Sequence, residues 1–397
     1  MIRVDVLIVG AGLAGARAAE ALRAYGYPGS VMVAGDEPHA PYERPALSKE
    51  VLTQGRDAPD ISLRPDHAWS EREIRLRLDS PVADVDLDAH LATVRGELVR
   101  WERLVIATGA RARRIPGISD VEGVHHVRTL TEARRLRERL EPGTRLALIG
   151  AGFVGVELAS SARSLGVEVE VIELEQFPFG RLLGEAVGSR VAARMRDAGV
   201  RLNLGVGVQD VVMAGDVLAG VRLSDATGVP CDELVVGVGA TPNTELLDGQ
   251  LPLADDGGIV TDAAGRTEHQ DVFACGDVAS AWRPDLGRHQ RFEHWSSATA
   301  GARAVAAAIT GSEIPDHGVP YFWSDQFGWR LQLVGHPHGT PRLVEDRGDE
   351  GFVVRYEGSD GSLLGGLAIN RPDLLGALRS EVTEAASGQL ATTSGRS

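Results

Sequence analysis

One lysine stands in this chain. Every other basic position is arginine, and Lys49 closes the stretch Pro41-Tyr42-Glu43-Arg44-Pro45-Ala46-Leu47-Ser48-Lys49. Lysine carries a compact point charge on a flexible stem, whereas guanidinium is planar and permanently charged. A lysine kept in an arginine-only set marks a place where the two are not equivalent. Chance survival of one residue among 41 basic ones is the alternative, and its setting decides between them. On either side lie glycines at a chemically meaningful spacing. Gly10-Ala11-Gly12-Leu13-Ala14-Gly15 follows the apolar run Val4 to Val9, and Gly150-Ala151-Gly152-Phe153-Val154-Gly155 follows Arg145 to Ile149, 140 positions later. In such a fingerprint the first glycine (Gly10, Gly150) makes a tight turn. The second (Gly12, Gly152) lets backbone approach a pyrophosphate at a helix N-terminus, and the third (Gly15, Gly155) lets helix and strand pack closely. One copy is a weak signal, because turns in any α/β protein are rich in glycine. Two in one chain imply two dinucleotides, and Lys49 lies between them in sequence.

The elements that must hold these residues are legible around them. An alanine-rich helix is expected from about Ala16 to Tyr25, and a strand from Ser30 to Ala34 that ends in Gly35-Asp36-Glu37. The second unit has a helix through Glu157 to about Leu165 and a strand Val167 to Ile172 that terminates in Glu173. A carboxylate there hydrogen-bonds the ribose 2′-hydroxyl of NAD, while a 2′-phosphate calls for a nearby arginine. Glu173 is followed by Leu174, Glu175 and Gln176, with Arg181 well downstream, so NADH is expected. Residues 70 to 106 read as a β-meander leading to Ala107-Thr108-Gly109-Ala110, a small-residue turn that lets the chain pass close to a cofactor; read alone, it is an ordinary tight turn. Gly239-Ala240-Thr241-Pro242-Asn243 is a second turn of this kind at a domain return. Asp277, in Cys275-Gly276-Asp277, reads equally as an exposed ligand or as a helix N-cap. Glu293-His294-Trp295 precedes an alanine-rich helix from about Ser296 to Ile309, whose N-terminal partial charge suits the N1 and O2 side of a reduced flavin. Beyond Gly311 the chain turns aromatic and β-rich, with strands near Leu331 to Val334, Phe352 to Tyr356 and Leu363 to Ile369. A helix from Pro372 to about Ala385 follows.

Composition sets the limits. At 397 residues two or three domains are expected. A net charge of -15 argues against nucleic acid as a partner, and no apolar run approaches the roughly 20 residues of a membrane helix. The first ten residues are a strand and not a secretory signal, and Cys231 and Cys275 form neither a metal motif nor a redox pair, so a cytoplasmic protein is expected.

The ordered set of both fingerprints, Pro41 to Lys49, Ala107-Thr108-Gly109, Gly239 to Asn243, Gly276-Asp277, Glu293-His294-Trp295 and Tyr321 to Gln326 resembles the oxygenase-coupled, FAD-dependent NADH:ferredoxin reductases over about residues 3 to 380. The resemblance implies an α/β fold of the glutathione-reductase type, with two Rossmann-type dinucleotide-binding domains and a C-terminal α+β domain. Its expected boundaries are 1–112 with 240–312 for FAD, 113–239 for NAD and 313–385 for the β-rich domain, ahead of a flexible tail, 386–397. It further implies FAD contacts at Ala14, Asp36, Arg44, Lys49, Val82, Arg128, Asp277 and Trp295, a pairing of Glu157 with Lys49 beside the flavin, and Trp323 near the flavin on the ferredoxin side. The implied partners are a [2Fe-2S] ferredoxin and, through it, an oxygenase or P450, with the chain as monomer or weak dimer. Ser297 and Gly301 stand where members commonly carry Asn and Gln, and Ala46 replaces a second proline.

What is missing also speaks. Disulfide reductases of this fold carry a cysteine pair on the helix after the first unit, and residues 38 to 60 contain none. His336-Pro337 resembles the histidine of those enzymes, but without a thiol it reads as a loop residue. Electrons entering as hydride must leave from the flavin itself, with Lys49 and Glu157 tuning and positioning it. An NADH:acceptor reductase using oxygen, a quinone or a small molecule, and a redox-dependent binding module, are the other readings. For docking an acidic ferredoxin, Arg283, Arg288 and Arg291 form the arginine cluster expected to border the site with Trp323.

Overall fold

In a computed structural model, which describes residues 1–247 and 249–394, the chain opens on the strand Ile2–Val9, whose Val6, Leu7 and Ile8 are fully buried. A strand covered on both faces has no use for alternation, which is why it reads as a continuous apolar run. It sits centrally in a sheet ordered 74–77, 31–34, 2–9, 97–106, all parallel, which continues into antiparallel 91–94 and 82–86. Val272–Ala274 returns from far along the chain to pair with 104–106. The meander expected over 70 to 106 is therefore confined to 82–106, because Ile74–Arg77 joins the parallel edge instead. Helices Leu13–Ala24 and Trp295–Thr310 pack together over this sheet through Ala14, Ala18, Ala298, Ala302 and Val305. Alanine is what allows two helices to approach one another and a nucleotide at the same time.

The second unit repeats the plan. Strands 201–204, 168–173, 145–149, 233–236 and 124–125 form a parallel sheet, on which the helix Phe153–Ser164 buries Val156, Leu158, Ala159 and Ala162. Chain leaves and re-enters through a two-stranded antiparallel ribbon, Ala110–Ala112 with Ala240–Pro242.

The C-terminal region is an antiparallel sheet ordered 321–326, 329–335, 363–369, 352–357, 340–346. Trp329, Leu331, Phe352, Tyr356 and Ile369 share one core with Val187, Val191 and Met195 of the second unit. Arg190 lies 4.8 Å above the Phe352 ring and pairs with Asp346, so the two regions are joined by charge as well as by apolar contact. Thr340–Asp346 escaped the sequence reading for a physical reason: all seven of its residues are exposed, so no alternation marks it as a strand. The last helix also differs from expectation. It runs Pro372–Ser394 and takes in residues 386–394 of the expected tail; 395–397 lie outside the described residues. No helix among the described residues is long and apolar enough to cross a membrane.

Candidate functional site

The site starts from the carbonyl ends of the first sheet. Gly10, at φ +114°, is pressed against Ala107, and a Cβ there would lie 2.1 Å from the Ala107 oxygen; Gly15 is held equally closely by the Gly10 carbonyl, at 1.9 Å. Gly12 is different. A Cβ at Gly12 would meet nothing nearer than an Arg44 nitrogen at 4.0 Å, so the space before it is open. Gly12 caps the helix Leu13–Ala24 with no side-chain hydrogen bond, and His294 does the same for Trp295–Thr310. Two helix N-termini thus present uncommitted backbone N–H groups to one cleft, an arrangement suited to anions.

The cleft brings together Gly10, Gly12, Ala14 and Asp36 from the first unit, Arg44 and Lys49 from the following stretch, Thr108 and Gly109 from the turn, and Arg128, Glu157, Asp277, Trp295 and Trp323 from five further segments. Of the remaining expected residues, Gly15 lies behind the wall as a packing residue. Val82, partly buried against the core, does not line the cleft; it lies two residues after Ser80, whose N–H donates to the Gly35 carbonyl at 2.7 Å. Gly150, Gly152, Gly155 and Glu173 form a separate corner on the second unit, and Gly239 lies at the start of the returning ribbon, where its carbonyl accepts from the Arg113 N–H at 2.9 Å. The two corners meet at the helix Phe153–Ser164, which turns Phe153, Val154 and Glu157 into the first cleft.

Lys49 Nζ lies 2.7 Å from Glu157 Oε2, with side chains 17% and 7% exposed. Glu157 is further held by Ser48 Oγ, which donates to Oε2, and by Ser324 Oγ, which donates to Oε1, both at 2.6 Å. One buried carboxylate is therefore bound by three side chains from two distant segments of chain. Sequence reasoning missed the two serines, although both lie inside motifs it quoted. Lys49 also donates to the Pro45 carbonyl at 3.2 Å, which the fixed φ of that proline helps to place.

At the other end, Arg44 donates to Glu37 Oε1 at 2.7 Å and to the Arg128 carbonyl, while the Tyr42 hydroxyl donates to Glu37 Oε2 at 2.6 Å. Burial works against the Arg44 charge, but Tyr42 and Glu37 outweigh it and hold the guanidinium protonated. Burial likewise pushes the Tyr42 hydroxyl well above its ordinary range. Glu37 was legible only as half of an acidic pair. Arg128 donates through Nε to the Ala110 carbonyl at 2.8 Å and pairs through Nη2 with Asp277. Asp277 caps no helix through its side chain and lines the cleft.

Aromatic groups close the remaining side. Trp295 Nε1 donates to Glu43 at 2.7 Å, and its ring meets Trp323 edge-on at 6.3 Å. Phe322 packs on Phe153 at 4.2 Å and on His294 at 5.0 Å. Burial lowers His294 to about 4, so the imidazole is neutral, and its Nδ1 is buried without a partner, as is Arg291 Nε nearby in sequence. His336 is more than a loop residue, since Nε2 reaches Asp285 at 3.1 Å. Burial would raise the Asp285 carboxyl, but bonds from His336 and Arg283 outweigh it and hold it below the carboxylate range. The arginine cluster expected at the docking face is divided. Arg283 is buried on Asp285, and Arg291 is tied to Glu293 and the Asp277 carbonyl, which leaves Arg288 exposed.

In the second corner Gly150 has φ +102° and a Cβ there would lie 2.4 Å from the Gly237 carbonyl, whereas Gly152 opens onto nothing within 4 Å. Glu173 accepts from the Ala151 N–H at 2.6 Å and the Glu175 N–H at 2.9 Å. Arg181, downstream of both carboxylates, is folded against Glu175. The expectation that no arginine stands near these carboxylates is thus corrected: the short helix Gly180–Leu183 brings one back.

Comparison with known proteins agrees with this geometry. The family model described as pyridine nucleotide-disulphide oxidoreductase matches residues 4–302, and the reductase C-terminal model matches 321–393. The chain belongs to the pyridine nucleotide-disulphide oxidoreductases. Rhodocoxin reductase of Rhodococcus erythropolis is 35% identical over 93% of this chain and 87% of its own length. The ferredoxin–NAD(+) reductase component of the p-cumate 2,3-dioxygenase system of Pseudomonas putida is 36% identical over 92% and 90%. Among solved structures, the reductase of the covalent putidaredoxin reductase–putidaredoxin complex superposes with a TM-score of 0.91 at 29% identity, covering 97% of this chain and 94% of that one. The ferredoxin reductase for the CYP199A2 system of Rhodopseudomonas palustris gives 0.88 at 35% identity over 92% and 91%.

The family and its reductase relatives imply FAD and NADH for this oxidoreductase, and the residues fit. The cleft is lined from the first fingerprint through Arg44, Lys49 and Arg128 to Trp295 and Trp323, a set of segments broad enough to follow an extended dinucleotide. An open glycine, two uncapped helix ends, two arginines and an orphaned imidazole nitrogen provide for its phosphates and ring. Despite the family's name, both cysteines are free and buried, and burial pushes each thiol up to about 12. Neither is a disulfide centre.

Proposed function

We propose that this oxidoreductase passes electrons from NADH through FAD to a [2Fe-2S] ferredoxin that serves an oxygenase or P450. The observation that carries the reading is a buried Lys49–Glu157 pair facing a cleft without cysteine and bounded by Trp323. FAD, when bound, supplies the step from paired to single electrons. The protein's own residues do the rest. Gly12 and the N-terminus of Leu13–Ala24 would receive the pyrophosphate, and Asp36 the adenosine ribose. Arg44, Arg128 and Asp277 would fix the middle of the dinucleotide. Lys49, aimed by Glu157, would set a cation beside the reacting ring, where charge develops. Neutral His294 can donate or accept a hydrogen bond there without adding charge. Phe153, on the second unit's helix, would stand between the two nucleotides and help to exclude water. Gly152, Glu173 and the Gly239 return would hold NADH. The relatives that bear ferredoxin reductase names support the acceptor. Two free buried thiols support a cytoplasmic setting, and the chain would act as a monomer or weak dimer. The test is anaerobic reduction with NADH followed by mixing with candidate acceptors. Fast one-electron transfer to a [2Fe-2S] ferredoxin supports the reading. Rapid oxygen consumption, or a long-lived NAD complex with poor turnover, refutes it.

A further inference from the structure

NADH over NADPH is usually explained by a strand-end carboxylate that bonds the ribose 2′-hydroxyl and by the lack of an arginine for a 2′-phosphate. Here the carboxylate is present and so is the arginine. Ala151, between the first two glycines of the second fingerprint, organises both. Its N–H donates to Glu173 Oε2, and its carbonyl accepts from the Phe179 N–H at 3.2 Å. Phe179 adopts a left-handed backbone, φ 58°, and is buried against Phe153 at 4.7 Å, so the turn that follows is anchored to the glycine loop. That turn, Gly180–Leu183, carries Arg181. Its side chain is 85% exposed, and through Nε it is bound to Glu175 Oε1, two residues after Glu173. Among the described residues its other nitrogens have no partner.

We infer that Glu175 masks Arg181, and that this pair, more than Glu173 alone, sets the discrimination against a 2′-phosphate. With Glu175 in place, the arginine is already neutralised and a phosphate arriving beside it meets two carboxylates. Without Glu175, the same guanidinium is free to turn onto the phosphate, and a planar fork matches phosphate geometry. The inference rests on the proposed use of NADH at this corner and names the residues that make the choice.

The experiment uses the FAD-loaded enzyme in four forms: wild type, Glu175→Gln, Arg181→Gln and the double variant. Titration calorimetry compares adenosine 2′,5′-bisphosphate with 5′-AMP, and stopped flow compares flavin reduction by NADPH and NADH. Glu175→Gln is expected to raise the bisphosphate-to-AMP affinity ratio and the NADPH-to-NADH efficiency ratio by about tenfold, the worth of one charge-assisted hydrogen bond. The double variant is expected to return both ratios to within about twofold of wild type. Unchanged ratios in Glu175→Gln, or a gain that survives loss of Arg181, overturns the inference. Its failure is separable from that of the proposed function, because wild-type flavin that NADH does not reduce sinks the functional reading whatever the ratios show.

Discussion

Removing Lys49 should damage the protein more than removing Lys49 and Glu157 charge together. Nζ and Oε2 are 2.7 Å apart and both side chains are largely buried. Deleting one partner of a buried pair costs roughly 3–5 kcal/mol, most of it from the charge left behind. In Lys49→Met that charge is Glu157, which keeps the Ser48 and Ser324 hydroxyls, each worth roughly 1 kcal/mol or more to an ionised acceptor. The expected loss is therefore at the low end, about 3 kcal/mol. Adding Glu157→Gln removes the stranded charge while an amide oxygen still accepts from a serine, so the double variant should be about 2 kcal/mol more stable than the single one. Urea unfolding of the three proteins at saturating FAD measures this. Flavin reduction by NADH separates packing from chemistry, since it should be slow in both variants. Wild-type stability in Lys49→Met, or a double variant no more stable than the single, would refute the argument that Glu157 is a buried anion held chiefly by Lys49.

Burial lowers His294 to about 4, so the unfolded chain takes up a proton that the folded one refuses; stability should fall as pH drops from about 6.5 to 4, by up to about 3 kcal/mol from this group. Asp277 and His336 act on it in opposite senses, and denaturant midpoints across that window should slope less in His294→Gln. Gly152→Ala should fold and retain FAD but raise the NADH KM about tenfold or more, since its Cβ enters open space meant for a phosphate, whereas Gly155→Ala, whose Cβ would lie 2.1 Å from the Gly150 carbonyl, should lose folded yield. Arg288→Glu should slow ferredoxin reduction and flatten its salt dependence while leaving NADH reduction intact, because Arg288 is the exposed member of its cluster; indifference to the change at low salt would place docking elsewhere.

The legible parts of this molecule are those in which one residue type has one physical use. Gly10 and Gly150 sit where a side chain would strike backbone, so the fingerprints that they open announce themselves. Lys49 was conspicuous by type alone. The hidden parts depend on distance along the chain. Ser48 and Ser324 are 276 positions apart and meet only on Glu157, and a serine gives no hint of the carboxylate that it will serve. Arg181 was misjudged because sequence separation was read as spatial separation, and the left-handed Phe179 that folds it back is not a residue from which such a turn is expected. Thr340–Asp346 has no buried face and so no pattern.

The ribbon of Ala110–Ala112 with Ala240–Pro242 has a consequence for how such a molecule can arise. Among the described residues its two strands carry the chain out of the second unit and back, and they run side by side, roughly 5 Å apart. A segment that leaves and returns through adjacent doors can be gained, lost or exchanged without displacing any strand of its host, which needs only one surface turn at which to receive it. The second unit is in this sense a cassette, and the host sheet, rejoined by Val272–Ala274, remains complete around the place where it was set in.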